Sequence, residues 1–265
     1  MRPFLLALLL SVPCAARAQT LVQIPAPPVP GARMPAIPIP ARFYLPPGNG
    51  RVGAVILLHG CGGIGNGYQV EAWAARVVAW GYAALIPDSL TPRGRRTVCA
   101  PALQKYVTDA DQAGDAIDAA LWLRTRPRID HRIAVVGFSH GGGAAVTVTR
   151  QQFQDSHPDL IRAAVDFYGP CRQPRLHGTT PLMVLAGTAD TWGDPVRSCA
   201  AFGQQLRPNQ PFQLVTYKGV AHAFDNDRLV RRREEFGHPL QYDALATADA
   251  IVKMRAFLAQ RMGPP

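Results

Sequence analysis

The run Ile133-Ala134-Val135-Val136-Gly137-Phe138-Ser139-His140-Gly141-Gly142 leads an apolar segment into a serine flanked by glycines. A buried strand that enters G-x-S-x-G and leaves as a small-residue helix holds a serine hydroxyl out on a sharp turn, ready for attack. Such a turn strains the serine backbone, so its neighbours must be nearly bare for strand and helix to pass closely. The helix start also supplies unpaired N–H groups that favour a developing negative charge. A serine hydroxyl is a weak nucleophile at neutral pH and needs a base, itself oriented by an acid. With this elbow the chain order is serine, acid, histidine.

Two histidines follow any plausible acid loop, His222 and His238. His222 closes Lys218-Gly219-Val220-Ala221-His222, just after the apolar strand 212–216, and is the expected base. His238 lies in the charged stretch RRREEFGHP and reads as a surface residue. No glutamate separates Ser139 from His222, which leaves Asp155, Asp159, Asp166, Asp190 and Asp194 as acids. Asp155 and Asp159 fall in a polar loop, and Asp166 sits inside a strand pattern, as a satisfied buried carboxylate would. Asp190 follows Leu182-Met183-Val184-Leu185-Ala186-Gly187 at a strand's carboxyl end and is the expected acid, with Asp194 as the alternative. An oxyanion needs two pre-aimed donors. The backbone N–H of His140 is one. The other is expected at Cys61 N–H, in the loop His59-Gly60-Cys61-Gly62-Gly63, with His59 in a structural hydrogen bond.

These residues need a scaffold that brings loops from several strands to one edge. Apolar runs at 52–58, 82–86, 133–136, 163–167, 182–186 and 212–216 alternate with helical patterns at 70–79, 103–123, 141–150, 196–206 and 242–260. Strands that are apolar throughout and separated by helices predict one α/β domain over 48–265, a mostly parallel sheet covered on both faces. Residues 25–47 carry nine prolines, a density that rules out helix and predicts an extended arm or edge strand; the arm is set at 19–47.

The first 18 residues read as a secretory leader, with Arg2, an apolar stretch from Phe4 to Val12 and the small-residue site Ala16-Arg17-Ala18. That run is far shorter than the roughly 20 residues a membrane span needs. Export, to the periplasm where the host has an outer membrane, removes Cys14 and leaves Cys61, Cys99, Cys171 and Cys199. An even count in an oxidising compartment predicts disulfides. Cys61 and Cys99 fall in loops after successive strands, Cys171 follows the strand ending at Phe167 and Cys199 lies just beyond the Asp190 loop of the neighbouring strand, so Cys61–Cys99 and Cys171–Cys199 are the expected pairs. No cysteine or histidine cluster has zinc-ligand spacing. The net charge of +10 falls to +8 without Arg2 and Arg17, and it comes from scattered arginines with no aromatic-interleaved basic motif for nucleic acid.

Together LLHGCGGIG, GYAALIPD, GFSHGG, LAGTAD and YKGVAHAFDN resemble the dienelactone hydrolase family, over about residues 40 to 260. The resemblance implies the α/β-hydrolase fold, a small-molecule ester or lactone substrate, no cofactor, and a triad of Ser139, Asp190 and His222. Enzymes named for dienelactone carry a cysteine nucleophile. Serine here turns the expectation toward ordinary ester hydrolysis. In the family an arginine after the Pro-Asp loop helps hold a substrate carboxylate, which the resemblance carries onto Arg93.

Overall fold

A computed structural model describes residues 19–25, 37–65, 68–172, 178–208 and 210–264. The leader expected at residues 1–18 lies outside them. Eight strands form one sheet in the order β1-β2-β4-β3-β5-β6-β7-β8. These are β1 (Gln19–Ile24), β2 (Ile39–Tyr44), β3 (Val52–Leu58), β4 (Ala83–Pro87), β5 (Ile129–Phe138), β6 (Ala163–Phe167), β7 (Leu182–Gly187) and β8 (Phe212–Tyr217). From β4 to β8 every pairing is parallel, while β1 and β2 join antiparallel at the β4 edge. The proline-rich stretch thus contributes sheet: β2 spans Pro40, whose carbonyl accepts from Asp88 N at 2.8 Å.

Alternate residues of β3 explain why its sequence is apolar without a break. Ala54, Ile56 and Leu58 enter one core with α2 (Asp109–Arg124) and α3 (His140–Thr147). Val55 and Leu57 enter the other with α1 (Tyr68–Ala79) and α6 (Ala244–Met262). Both faces are covered, so a two-residue period has no wet side to reveal. A fully buried leucine or isoleucine contributes about 1.5–3 kcal/mol by leaving water, and β3 places all of Ala54 to Leu58 at zero exposure.

One helix differs from its pattern. The stretch 103–123 reads as continuous helix, but the chain forms a 3-10 segment at Pro101–Tyr106, turns extended at Val107 and restarts as α2. A capping box causes the restart: Thr108 Oγ1 accepts from Asp111 N, and Asp111 Oδ2 accepts from Thr108 N. The remaining helices are α4 (Gln151–Ser156) and α5 (Pro195–Gly203). A short hairpin, β9 (Arg233–Glu235) and β10 (His238–Leu240), precedes α6.

Candidate active site

Strand order reverses around β3 and β5, and ligands of open α/β sheets bind beyond the carboxyl ends of strands at such a point. Ser139 stands there, between β5 and α3, at φ 55° and ψ −114°. Its N–H donates to Phe167 O at 2.9 Å, which ties the turn to β6. The flanking glycines are required by contact. A Cβ on Gly137 would lie 1.8 Å from Gly141 O, and one on Gly141 would lie 2.3 Å from Leu58 O.

His222 reaches the same point from the loop after β8. The Ser139 hydroxyl faces His222 Nε2 at 2.9 Å, and His222 Nδ1 faces Asp190 Oδ2 at 2.7 Å. Asp190 is buried in the loop after β7, and its other oxygen accepts from Trp192 N at 2.8 Å. Because Nδ1–H is committed to the carboxylate, the lone pair of Nε2 is left for the serine proton. The backbone of His222 is clamped too: its N–H donates to Pro239 O at 3.1 Å, and its carbonyl accepts from Gln241 N at 3.2 Å. Rings close on the imidazole from two sides, Tyr168 at 4.7 Å and Trp192 at 5.2 Å between centroids.

Asp194 goes elsewhere, capping α5 and pairing with exposed Arg197 at 2.6 Å. His238 stacks on Trp192 at 5.3 Å and accepts or donates at Thr191 Oγ1 across 3.0 Å. Asp166 is fully buried under α3, with Oδ1 accepting from Gly169 N at 2.7 Å and Oδ2 unpartnered among the described residues. Burial pushes its carboxyl well above the usual carboxylate range.

The glycine loop after β3 runs beside Ser139. A Cβ on Gly60 would sit 3.6 Å from Ser139 Cβ, and Cys61 is the next residue. That loop is fastened by the Cys61–Cys99 disulfide, with Cα atoms 4.7 Å apart, and by Val98 N donating to Cys61 O at 2.8 Å. His140 opens α3, where a backbone N–H has no partner within the helix. His59 is buried, with Nδ1 at Gly60 O (2.8 Å) and Nε2 accepting from Ser89 N (3.2 Å). Burial lowers its pKa, which keeps the ring neutral and structural. The second disulfide, Cys171–Cys199, joins the segment after β6 to α5 with Cα atoms 4.8 Å apart.

Arg93 meets a different environment from the expected substrate carboxylate. Its two terminal nitrogens each lie 2.8 Å from an oxygen of Asp115 on α2, and one also donates to Ser89 O. The guanidinium fork is filled from inside the protein. Tyr168, Trp192 and the β9–β10 hairpin carry no sequence signal of a role here, because what recruits them is proximity to His222.

A model of the dienelactone hydrolase family matches residues 39–262, nearly the whole described chain. The chain belongs to the dienelactone hydrolase family. Solved structures agree on the fold. A dienelactone hydrolase-like promiscuous phosphotriesterase from metagenomic libraries is 20% identical with TM-score 0.71, covering 93% of this chain and 100% of its own. A dienelactone hydrolase from Anabaena variabilis is 19% identical with TM-score 0.66, covering 93% and 99%. An esterase from Thermogutta terrifontis, phosphorylated by paraoxon, is 18% identical with TM-score 0.62, covering 92% and 95%. No curated protein matches in sequence. As a member of the dienelactone hydrolase family this protein is a hydrolase with an α/β sheet flanked by helices, and no helix among its described residues is long and apolar enough to cross a membrane.

Proposed function

We propose that this hydrolase is exported and cleaves small carboxylic esters or lactones through an acyl-enzyme on Ser139. One observation carries the reading: an unbroken chain from Ser139 Oγ to His222 Nε2 at 2.9 Å and from His222 Nδ1 to Asp190 at 2.7 Å. Ser139 Oγ attacks the ester carbonyl carbon while its proton passes to His222 Nε2. The imidazolium is balanced by Asp190, which stays ionised. Negative charge on the former carbonyl oxygen meets the N–H groups of Cys61 and His140. The C–O bond then breaks, and the leaving alcohol takes the proton from His222. Water attacks the acyl-serine by the same route in reverse and frees the acid. No step calls for a cofactor or metal.

The substrate end of this reading favours neutral esters. Arg93 is occupied by Asp115, so support for a dedicated carboxylate clamp there is the weaker part of the sequence expectation. Export is supported by the leader pattern and by two disulfides, which persist in oxidising compartments.

Hydrolysis of p-nitrophenyl esters, lactones and aminoacyl substrates by the purified enzyme tests the reaction class. Ser139→Ala and His222→Ala should each reduce ester turnover by several orders of magnitude in a folded protein, and Ser139→Ala should abolish fluorophosphonate labelling. An inactive His238→Ala beside an active His222→Ala would overturn the assignment.

A further inference from the structure

We propose that Tyr168 and Asp225 are positioning residues for the base, forming a second buried support that holds His222 and stabilises its cationic form. The proposal rests on the reading of His222 as the base.

Tyr168 follows the last residue of β6 directly and occupies φ 49°, a conformation that a bulky L side chain rarely takes. Its backbone is fixed by N–H donation to Leu185 O at 2.9 Å, one strand over. The ring packs against the imidazole of His222 in an edge arrangement, 63° between planes at 4.7 Å. An observed backbone outlier beside reacting groups is a pointer to function.

What keeps the ring there is Asp225, three residues beyond His222. The Tyr168 hydroxyl donates to Asp225 Oδ1 at 2.6 Å, and Trp73 Nε1 donates to Oδ2 at 2.6 Å. Gln69 Nε2 adds a third donor at 2.5 Å and also contacts the Tyr168 hydroxyl. Burial of a carboxylate requires such donors, and these come from two places in the fold, Gln69 and Trp73 on α1 and Tyr168 just after β6. This one anchors a ring that touches the base.

The chemistry follows from the proton transfer. When Ser139 gives its proton to Nε2, a positive imidazolium forms between Asp190 and the Tyr168 ring. A cation set against the face of an aromatic ring, within about 6 Å of its centroid, is attracted by the ring quadrupole, and the Tyr168 centroid lies 4.7 Å from that of the imidazole. Donation to Asp225 makes the phenol more electron-rich and strengthens that attraction. Asp190, Tyr168 and Ser139 face His222 directly; Asp225 lies behind Tyr168, and His238 behind Trp192.

Steady-state kinetics across pH on a neutral p-nitrophenyl ester test the proposal. Tyr168→Leu should lower kcat about tenfold or more with KM little changed, and move the acid limb of kcat/KM to lower pH by about half a unit. Tyr168→Phe should recover most of kcat and part of the limb, while Asp225→Asn falls between. A folded Tyr168→Leu enzyme whose acid limb matches wild type reduces Tyr168 to packing and overturns the proposal. If Tyr168→Leu does not fold, Tyr168→Phe and Asp225→Asn decide it, and wild-type kcat and limb in both overturn it. His222→Ala, measured alongside, separates the readings: activity surviving there removes the base assignment itself, whereas loss there with unmoved limbs removes this proposal alone.

Discussion

Asp190 and Asp194 lie four residues apart in one loop, and their surroundings give them different work. Asp190 is buried against His222, whereas Asp194 is half-exposed on Arg197 at the start of α5. Asp190→Asn should therefore cut ester turnover by about 10⁴-fold, since an amide leaves the imidazole in the wrong tautomer. Asp194→Asn should stay within about threefold of wild type, with at most a few tenths of a kcal/mol lost at the cap; turnover by the two purified variants checks both. Arg93 is a similar case of a charge with a local partner. Burial pushes the Asp118 carboxyl up to about 6, next to Asp115, and Arg93 opposes that shift. A carboxyl whose folded pKa is raised gives its full stability below its unfolded value near 4 and loses it as pH rises through about 6. Arg93→Ala removes the opposing charge and strands Asp115, whose side chain is 5% exposed. The variant should lose about 3 kcal/mol, with a larger Tm drop at pH 7.5 than at pH 5. Equal drops at both pH values would leave Asp118 out of the account.

At the scale of elements, the strand–elbow–helix unit sets Ser139 and tolerates the least change. A Cβ on Gly141 meets the Leu58 carbonyl at 2.3 Å, and backbone cannot swing aside as a flexible side chain does. Gly141→Ala should push α3 off β3 and displace Ser139, with activity falling at least about 100-fold, as small misplacements of reacting groups do. Gly114→Ala is the control: it lies in α2 with nothing within 4 Å of the new Cβ, and should gain stability, about 0.5–1 kcal/mol, at unchanged turnover. Thermal melts and ester turnover on the two variants read both effects. The hairpin β9–β10 belongs to the same scale. It holds the backbone of His222 through Pro239 and Gln241 and sets His238 on Trp192.

Across the whole molecule, three strand-end loops converge on one edge of the sheet, and each has its own fastening. Cys61–Cys99 ties the glycine loop, Cys171–Cys199 ties the segment after β6 to α5, and the hairpin ties the histidine loop. Each disulfide should contribute about 2–4 kcal/mol by restricting the unfolded chain. Non-reducing peptide mapping of the purified protein should recover these two linkages. Reduction should then lower Tm by several degrees and weaken ester turnover while Ser139 stays intact. Four alkylatable thiols, or a Cys61–Cys171 peptide, would contradict the arrangement.

The order of strands and helices, the glycine turn that carries Ser139 and the place of His222 just past a strand were legible in the chain because they rest on local signals: apolar runs, glycines that a tight turn requires, and positions just past strand ends. Even the cysteine pairs followed, since parallel strands send their loops to one edge. The helix break at Val107 was written locally as Thr108 and Asp111, a capping box inside a helical pattern. Other assignments had no local signal. Arg93 is claimed by an aspartate 22 residues away, and Tyr168 and Trp192 meet His222 only when strands β6 to β8 lie side by side, with Asp225 behind Tyr168. Periodicity reports which side of an element is dry, whereas the partner of a charge or a ring is a matter of distance between segments remote in sequence, and packing alone sets that distance.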